Sequence, residues 1–425
     1  MPSRTPHPSS TTAPSRKTGR PLVLSNALDA AGRTTADLAT DVLAVAVLGA
    51  TATQMGVLNA LGTLAFLVLG IPVGVLVDRS PLVRLLLGAG LLRAALLGSL
   101  VLAWWLDGLT LVHLYAVAAL AGTAAVVVET AQTAIAPRVA GPAGVSRLVA
   151  AMQSAESVIS LAVPAAAGTL VALTGAGPVL AVAAGLTALA ALVLLRLRLS
   201  PAPGRDRGQE PGPGGALHRF LREARQGWTT LRGRPTLWRL TLASMLVNLG
   251  LAVHSAVEVV LVLRELGLGA TVLGLLVSAG GVGGLLGSAV AVPLGARWGA
   301  VTLVRGAVLL LAPTAALTLV ALLDRDGATA WLLAGSFLWG VVIVLYNVLV
   351  AGLAAELTPV RLMGRVSATR RTLTMGIVPV GGIAGGLLAD QAGLVATVSV
   401  WILLNGAGAW VVSRVRSTSA HYTGA

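Results

Sequence analysis

The chain has 425 residues, of which 56% are hydrophobic and 11% charged, and its formal net charge is +14. Soluble domains carry about a quarter charged residues, so this composition indicates a protein that folds in lipid. The absence of cysteine excludes disulfides, iron–sulfur clusters, thiolate zinc sites and cysteine nucleophiles. The basic residues form short clusters between apolar runs rather than one continuous face, so we expect the lipid bilayer, and not nucleic acid, as a partner.

The first segment, residues 1–20, is rich in Ser, Thr and Pro, contains several basic residues and has no apolar run. This composition predicts a disordered tail on the cytoplasmic side rather than a cleaved signal peptide.

Apolar runs of membrane-spanning length make up most of the remaining sequence. A bilayer core about 30 Å thick needs about 20 helical residues to cross it. The runs predict an all-α membrane protein with about twelve transmembrane helices, at residues 27–50, 55–77, 84–105, 111–135, 147–172, 178–197, 237–262, 271–294, 302–323, 329–354, 366–388 and 394–413. They form one six-helix bundle over residues 21–198 and a second over residues 237–413, followed by a cytoplasmic tail over residues 414–425.

The bundles are separated by residues 199–236, which begin with a Pro/Gly-rich stretch typical of a linker. Apolar residues then recur at helical spacing with arginines between them, which predicts an amphipathic helix; these positions are Leu217, Phe220, Leu221, Ala224, Trp228 and Leu231. Two placements fit this pattern: the helix lies on the inner leaflet, or it is solvated between the two bundles.

Arginines are concentrated in every second loop. Those loops and tails carry Arg79, Arg84, Arg138, Arg147, Arg297, Arg305, Arg361, Arg365, Arg370, Arg371, Arg414 and Arg416, whereas the opposite loops carry Arg264 and Arg325. Because cytoplasmic loops of membrane proteins are enriched in Lys and Arg, both termini are predicted to be cytoplasmic. The high Ala, Gly and Arg content suggests a bacterial genome, and we expect the bacterial inner membrane.

Similar residues recur at equivalent positions of the two bundles. Gly56-Val57-Leu58 has a counterpart in Gly274-Leu275-Leu276, so their residue numbers differ by a constant amount, 274 − 56 = 218. The same repeat offset relates Gly62 to Gly280 and Arg79 to Arg297. A constant offset at distant points predicts two six-helix pseudo-repeats.

Proline occurs within two of the predicted spans. Pro164 lies in span five and Pro379 in span eleven. Proline frees a backbone carbonyl and can bend a helix, and the alternative is that these segments simply pack tightly through their small residues.

Span one carries a ladder of charged residues, Asp29, Arg33, Asp37 and Asp41. A spacing of four places neighbours on one side of a helix, and such groups are costly in lipid. We therefore expect them to face a central polar cavity. In the alternative interpretation span one begins later and leaves Asp29 and Arg33 in cytoplasmic water, but this does not account for Asp37 and Asp41.

Other polar residues within the spans complete the predicted substrate and proton pathway: Glu129, Glu156, Asn248, His254, Glu258, Tyr346 and Asn347. Arg93 is a candidate partner for one of the acids. An acid in a cavity that opens alternately to each side could bind a proton on one side and release it on the other. His254 fits either a packed or pore-lining residue or a proton shuttle, because its ordinary titration range suits both.

One motif carries a family resemblance. The stretch from Gly70 to Arg79, with Arg84 after it, resembles the Gly-x-Leu-Ala-Asp-Arg signature between spans two and three of major facilitator transporters. The resemblance implies that Gly74, Asp78, Arg79 and Arg84, with Arg138 after span four, gate the cytoplasmic side. Leu82 and Val83 stand where the signature has a basic pair, so the partners of this gate are not implied.

Further segments extend the resemblance over residues 37–412. They are Met55-Gly56-Val57-Leu58, Ala136-Pro137-Arg138, Arg234-Pro235-Thr236-Leu237-Trp238-Arg239 and Gly364-Arg365-Val366-Ser367-Ala368. Together they are similar to the enterobactin-exporter and macrolide-efflux group of major facilitators. That resemblance implies export of a bulky small molecule such as a drug, antibiotic or siderophore.

Other classes of function lack their motifs. Lys17 is the only lysine, which excludes a P-loop ATPase, and no His-Glu-x-x-His or Gly-x-Ser-x-Gly occurs. We therefore expect no enzyme, no catalytic residues, no metal and no cofactor. The predicted function is proton-coupled export of a small lipophilic or cationic molecule by a monomer. An importer, or a sensor or scaffold that keeps the fold without transport, remains as an alternative.

Overall fold

The computed structural model describes residues 19–141, 144–197, 225–359 and 362–415. The side chains of some residues in this range are outside the description, namely Phe66, Gly70, Ile71, Gly74, Val75, Asp78 and Arg79. Residues 1–18 of the predicted N-terminal tail, most of the linker and residues 416–425 also lie outside the described residues.

The described chain is helical and contains no strand. Besides a short helical segment at residues 225–232, it contains twelve helices, which are α1 (Arg20–Val42), α2 (Ala52–Arg79), α3 (Leu82–Trp105), α4 (Leu111–Ala140), α5 (Val145–Thr174), α6 (Ala176–Val193), α7 (Pro235–Val260), α8 (Ala270–Trp298), α9 (Ala300–Leu323), α10 (Ala328–Glu356), α11 (Met363–Gly376) and α12 (Val378–Ser413). The predicted all-α membrane protein is thereby confirmed.

Within the described residues, ten helical stretches are long and apolar enough to cross a membrane. Helix α1 is not among them because Asp29, Arg33, Asp37 and Asp41 interrupt its apolar surface. One of these ten stretches, Met363–Ser413, covers both of the predicted spans eleven and twelve. Within it, Gly393 breaks helix α12 with φ 85° and ψ 170°. The break lies between the predicted spans eleven and twelve.

Some helix ends differ from the ends of the predicted spans, and proline stands at two of these helix starts. Helix α1 begins at Arg20 with Pro21 in its first turn, a position that proline favours, so it starts well before the predicted start of span one. Pro379 stands in the first turn of α12, after the interruption at Ile377, as expected for a bend. Pro164 lies inside an unbroken α5.

The backbone repeats its irregular features at the offset seen in the sequence. Helices α1 and α7 each end in a π-helical turn, Leu43–Val47 and Leu261–Glu265, and the turns that follow use Gly49 (φ 67°) and Gly267 (φ 66°). A second pair of equivalent glycines, Gly175 after α5 and Gly393 within α12, has φ 85° in both cases. The pseudo-repeat seen in sequence is therefore also a repeat of backbone conformation.

Among the described residues, the apolar core joins the halves on one side only. We call the side where the described chain begins at Gly19 and ends at Val415 the termini side, and the opposite side, with the α1–α2 and α7–α8 connections, the far side. On the far side a large buried cluster contains residues of both halves, among them Leu43, Met55, Leu261 and Leu273, and a smaller one joins Ala52 to Val257 and Ala389. On the termini side the N-terminal half and the C-terminal half have separate clusters.

Glycine residues allow two close contacts between helices of opposite halves on the far side. A methyl group at Gly386 would overlap the carbonyl oxygen of Ala52, and one at Gly168 would overlap that of Ala270. These two pairs are again related by the repeat offset, so helices α2 and α12 meet as helices α8 and α5 do. The far side is closed by two equivalent backbone contacts.

The described part of the linker, residues 225–232, is helical and packs on the C-terminal half. Leu231 is fully buried with Leu237, Ala354 and Val366. The Trp228 and Trp238 rings meet edge to face at 5.5 Å, and the Arg232 guanidinium lies over both. The buried Leu231 shows that this part contacts protein, and the placement of the predicted amphipathic helix, on the inner leaflet or between the halves, stays a prediction. Leu217, Phe220, Leu221 and Ala224 lie outside the described residues.

Candidate functional site

Asp29 forms a buried ion pair inside the N-terminal half. Its Oδ1 accepts a hydrogen bond of 2.6 Å from Arg93 Nη1, and its Oδ2 lies 3.9 Å from Arg33 Nη1. Asp29 and Arg93 are both buried. The start of α1 is thus tied to α3, and Asp29 and Arg33 are part of the folded helix rather than in cytoplasmic water.

Asp37 and Asp41 lie further along α1 and face a cavity of about 490 Å³ between the two halves. Glu258 of α7 lines the same cavity from the C-terminal half. Five uncharged polar side chains complete its polar surface, namely Thr34, Asn59, Thr63, Ser160 and Ser255. Its apolar wall includes Leu38, Val259, Leu273 and Val277.

A second cavity of about 460 Å³ lies within the N-terminal half, between α1, α2, α3 and α4. Asp37 and Asp41 line it too, as do Arg33, Arg93 and Glu129. The two α1 carboxylates therefore stand where the cavities meet, and the second cavity leads from them to Glu129, whose side chain is exposed.

The carboxylates of the first cavity have no fixed partner. Among the described residues none donates a hydrogen bond to Asp37, Asp41 or Glu258, and no basic side chain is part of the described lining of that cavity. Asp37 lies deep in the bundle, yet its side chain is exposed because the cavities reach it. This arrangement presents negative charge that a proton or a cationic group can neutralise.

Other predicted pathway residues have local partners instead. Glu156 is half-buried and accepts a hydrogen bond of 3.4 Å from Gln153 Nε2. Asn248 Nδ2 donates to the carbonyl oxygen of Thr374 at 2.9 Å, which ties α7 to α11. Neither residue is part of the described lining of the two cavities.

His254, Tyr346 and Asn347 also lie apart from the cavity walls. The His254 ring stacks on Trp401 with ring centroids 3.9 Å apart, and it is buried. The hydroxyl groups of Tyr346 and Ser244 lie 2.9 Å apart inside the C-terminal half. Asn347 is exposed. The packed placement of His254 favours the structural interpretation of this residue over the proton shuttle.

The predicted gate lies on the termini side. Gly74, Asp78 and Arg79 belong to the end of α2, and their side chains are outside the described residues. Arg84 and Arg138 are exposed, at the start of α3 and the end of α4. Their role as a gate stays a prediction.

Sequence reasoning missed the uncharged lining residues and two charged side chains on the far side. Asn59, Thr63 and Ser255 could have been found as polar residues within apolar spans. Asp390 and Arg264 bond to the other half of the molecule, and their sequence positions in loops gave no signal of this.

A family model matches most of the chain. The family model described as Major Facilitator Superfamily matches residues 22–374. No curated protein matches the sequence.

Solved structures of transporters share the fold. The nucleoside transporter NupG superposes with a TM-score of 0.72 at 13% identity, over 93% of this chain and 98% of that one. A bacterial homologue of the iron transporter ferroportin, in an inward-facing state, gives 0.73 at 15% identity, over 94% and 99%. A bacterial homologue of the human lysosomal transporter Spinster, also inward-facing, gives 0.64 at 16% identity, over 94% and 95%.

Proposed function

Since this chain belongs to the Major Facilitator Superfamily, we propose that it is a secondary active transporter that exports a small cationic or lipophilic molecule in exchange for protons. The supporting observation is the position of Asp37 and Asp41, which line both the cavity between the halves and the cavity within the N-terminal half.

The charge of the site supports a cationic substrate. Asp37 and Asp41 approach the cavity between the halves from one side and Glu258 from the other, and a substrate with an amino group would replace protons on these carboxylates. The wall formed by Leu38, Leu273 and Val277 suits the apolar part of such a molecule. Proton and substrate would therefore compete for the same acids, and this competition couples their movements.

The shape of the molecule supports loading from the termini side. The halves share one apolar core on the far side and have separate cores on the termini side, so the far side is the closed one. With the termini in the cytoplasm, as the arginine distribution predicts, this conformation is inward-facing and receives substrate from the cell interior.

The experiment is transport by the purified chain in liposomes under an imposed pH gradient. Tetraphenylphosphonium and ethidium serve as cationic probes, and a pH-sensitive dye reports proton movement. We expect the gradient to drive probe flux, and Asp37→Asn or Asp41→Asn to abolish the coupled flux in at least one case. Asp107→Asn, in the exposed α3–α4 connection, is the matched control and should transport normally.

Three outcomes would contradict the proposal. Normal coupled transport by both variants would remove the acids from the mechanism. A wild-type chain that moves neither probes nor protons would favour the sensor or scaffold, and flux only toward the compartment of the termini would favour an importer.

A further inference from the structure

Asp390, near the end of span eleven, bonds to the start of α2 in the other half. Its Oδ1 accepts a hydrogen bond from the Ala52 amide at 3.2 Å, and its Oδ2 accepts one from the Thr53 amide at 3.0 Å. Thr51 and Gln54 form a capping box that satisfies the two neighbouring amides. Two of the four free amides of this helix end are thus held by the C-terminal half.

Arg264 makes the matching contact at the end of α1. It lies in the π-helical turn Leu261–Glu265, and its Nη2 donates a hydrogen bond of 3.1 Å to the carbonyl oxygen of Val45. Val45 itself lies in the equivalent π-helical turn of the N-terminal half, Leu43–Val47. The cation therefore meets a carbonyl at the negative end of one helix, and Asp390 meets amides at the positive end of the next.

These contacts have no counterpart in the reverse direction. The repeat offset relates Arg264 to Ala46 and Asp390 to Ala172, and neither alanine side chain can form such bonds. The equivalent helix start, at α8, has Gly269 as its N-cap and no side-chain cap.

The end of α7 is bonded to a side chain of the same half, the C-terminal half. Arg325 Nη1 donates to the carbonyl oxygen of Glu265 at 3.1 Å, and its Nη2 lies 2.5 Å from Glu265 Oε1. The repeat offset relates Arg325 to Asp107, whose charge is opposite. The backbone is repeated in both halves, whereas the contacts that Arg264 and Asp390 make across the far side have no equivalent at the other connection.

We propose that Arg264 and Asp390 form a one-sided latch, in which the C-terminal half holds both ends of the α1–α2 connection and so sets how often the far side opens. This inference rests on the alternating access of the proposed function. In the far-side-open state the Asp390 and Arg264 bonds are broken, and the freed groups are hydrated.

The test measures conformation rather than transport. The chain has no cysteine, so paired spin labels can be placed at Val112 and Leu323 after substitution by cysteine. Both residues are exposed on the far side, at 75% and 78%, and they belong to opposite halves. Distance distributions by pulsed electron paramagnetic resonance, in lipid nanodiscs without substrate, give the ratio of the open to the closed far side.

We expect Asp390→Ala and Arg264→Ala each to raise this ratio about tenfold, which corresponds to about 1.4 kcal/mol. Asp390→Asn keeps one acceptor oxygen and should have a smaller effect. Arg325→Ala is the matched control, because its bonds stay within one half. Ala172→Asp supplies the missing counterpart and should lower the ratio.

Equal distributions in the wild type, Asp390→Ala and Arg264→Ala would overturn the latch, and so would an equal shift caused by Arg325→Ala. The transport experiment is interpreted separately. If the protein moves no substrate but shows the predicted shifts in the distance distributions, the latch is supported and the proposed function is contradicted.

Discussion

Arg93 and Asp29 pair at 2.6 Å in the interior of the N-terminal half, about two helical turns from the unpaired Asp37 on the same helix. One carboxylate of the ladder is therefore structural, and the ones that follow are available to the cavities. Their difference comes from α3, which places an arginine beside Asp29 and none within hydrogen-bond distance of Asp37 or Asp41 in the described structure.

Removal of Arg93 should destabilise the fold. Arg93→Met leaves Asp29 buried without its partner, and loss of one member of a buried pair typically costs about 3–5 kcal/mol. The measurement is the free energy of unfolding of the purified protein in detergent. Asp29→Asn combined with Arg93→Met removes both charges and should recover part of the loss. A decrease below about 1 kcal/mol in Arg93→Met would show that the pair is hydrated rather than buried.

The far-side glycines should be intolerant of a methyl group. Gly386→Ala and Gly168→Ala place a Cβ on the backbone of the opposite half, so we expect the closed far side to be lost and transport to fall at least tenfold. Gly185→Ala is the control, since its added methyl group would meet open space. The labels at Val112 and Leu323 report the closure. Unchanged distances with either glycine variant would show that α2 and α12, or α5 and α8, can separate slightly without opening.

The α9–α10 connection should show a pH-dependent stability. The hydrogen bond from Trp331 Nε1 to Asp324, 2.8 Å long, together with one from the Gly327 amide, lowers the pKa of this carboxyl below its ordinary value. The bond therefore stabilises the folded state above the ordinary aspartate pKa, and the stabilisation is lost as pH falls through the lowered folded-state value.

Trp331→Phe tests this relation by removing the side-chain donor. The melting temperature of the variant should be lower than that of the wild type at neutral pH, and the difference should shrink in acid. A difference that is constant down to strongly acidic pH would assign the effect to packing of the Trp331 ring instead.

The sequence predicted the fold better than it predicted the site. Long apolar runs separated by arginine-rich loops define the spans, because length and hydrophobicity alone decide which segments cross a bilayer. The repeat offset was likewise visible, and it holds for the π-helical turns at Leu43–Val47 and Leu261–Glu265, which no residue pattern had predicted.

The roles of individual polar residues depended on tertiary contacts. Asp29 resembles Asp37 in sequence, but only the fold brings Arg93 to it. His254 lies one turn from Glu258 on α7, yet the His254 ring stacks on Trp401 while the Glu258 side chain lines the cavity. The face of a helix that meets a cavity is set by its neighbours, which periodicity alone does not identify.

The undivided apolar core of the far side has a consequence for the empty carrier. To part the halves there, the protein must expose residues such as Leu43 and Leu261 that are otherwise buried, whereas at the other end no cluster of described residues is shared by the two halves. In the proposed transport cycle, the unloaded protein is therefore open toward the termini side, and substrate arriving from that side would meet Asp37 and Asp41 first.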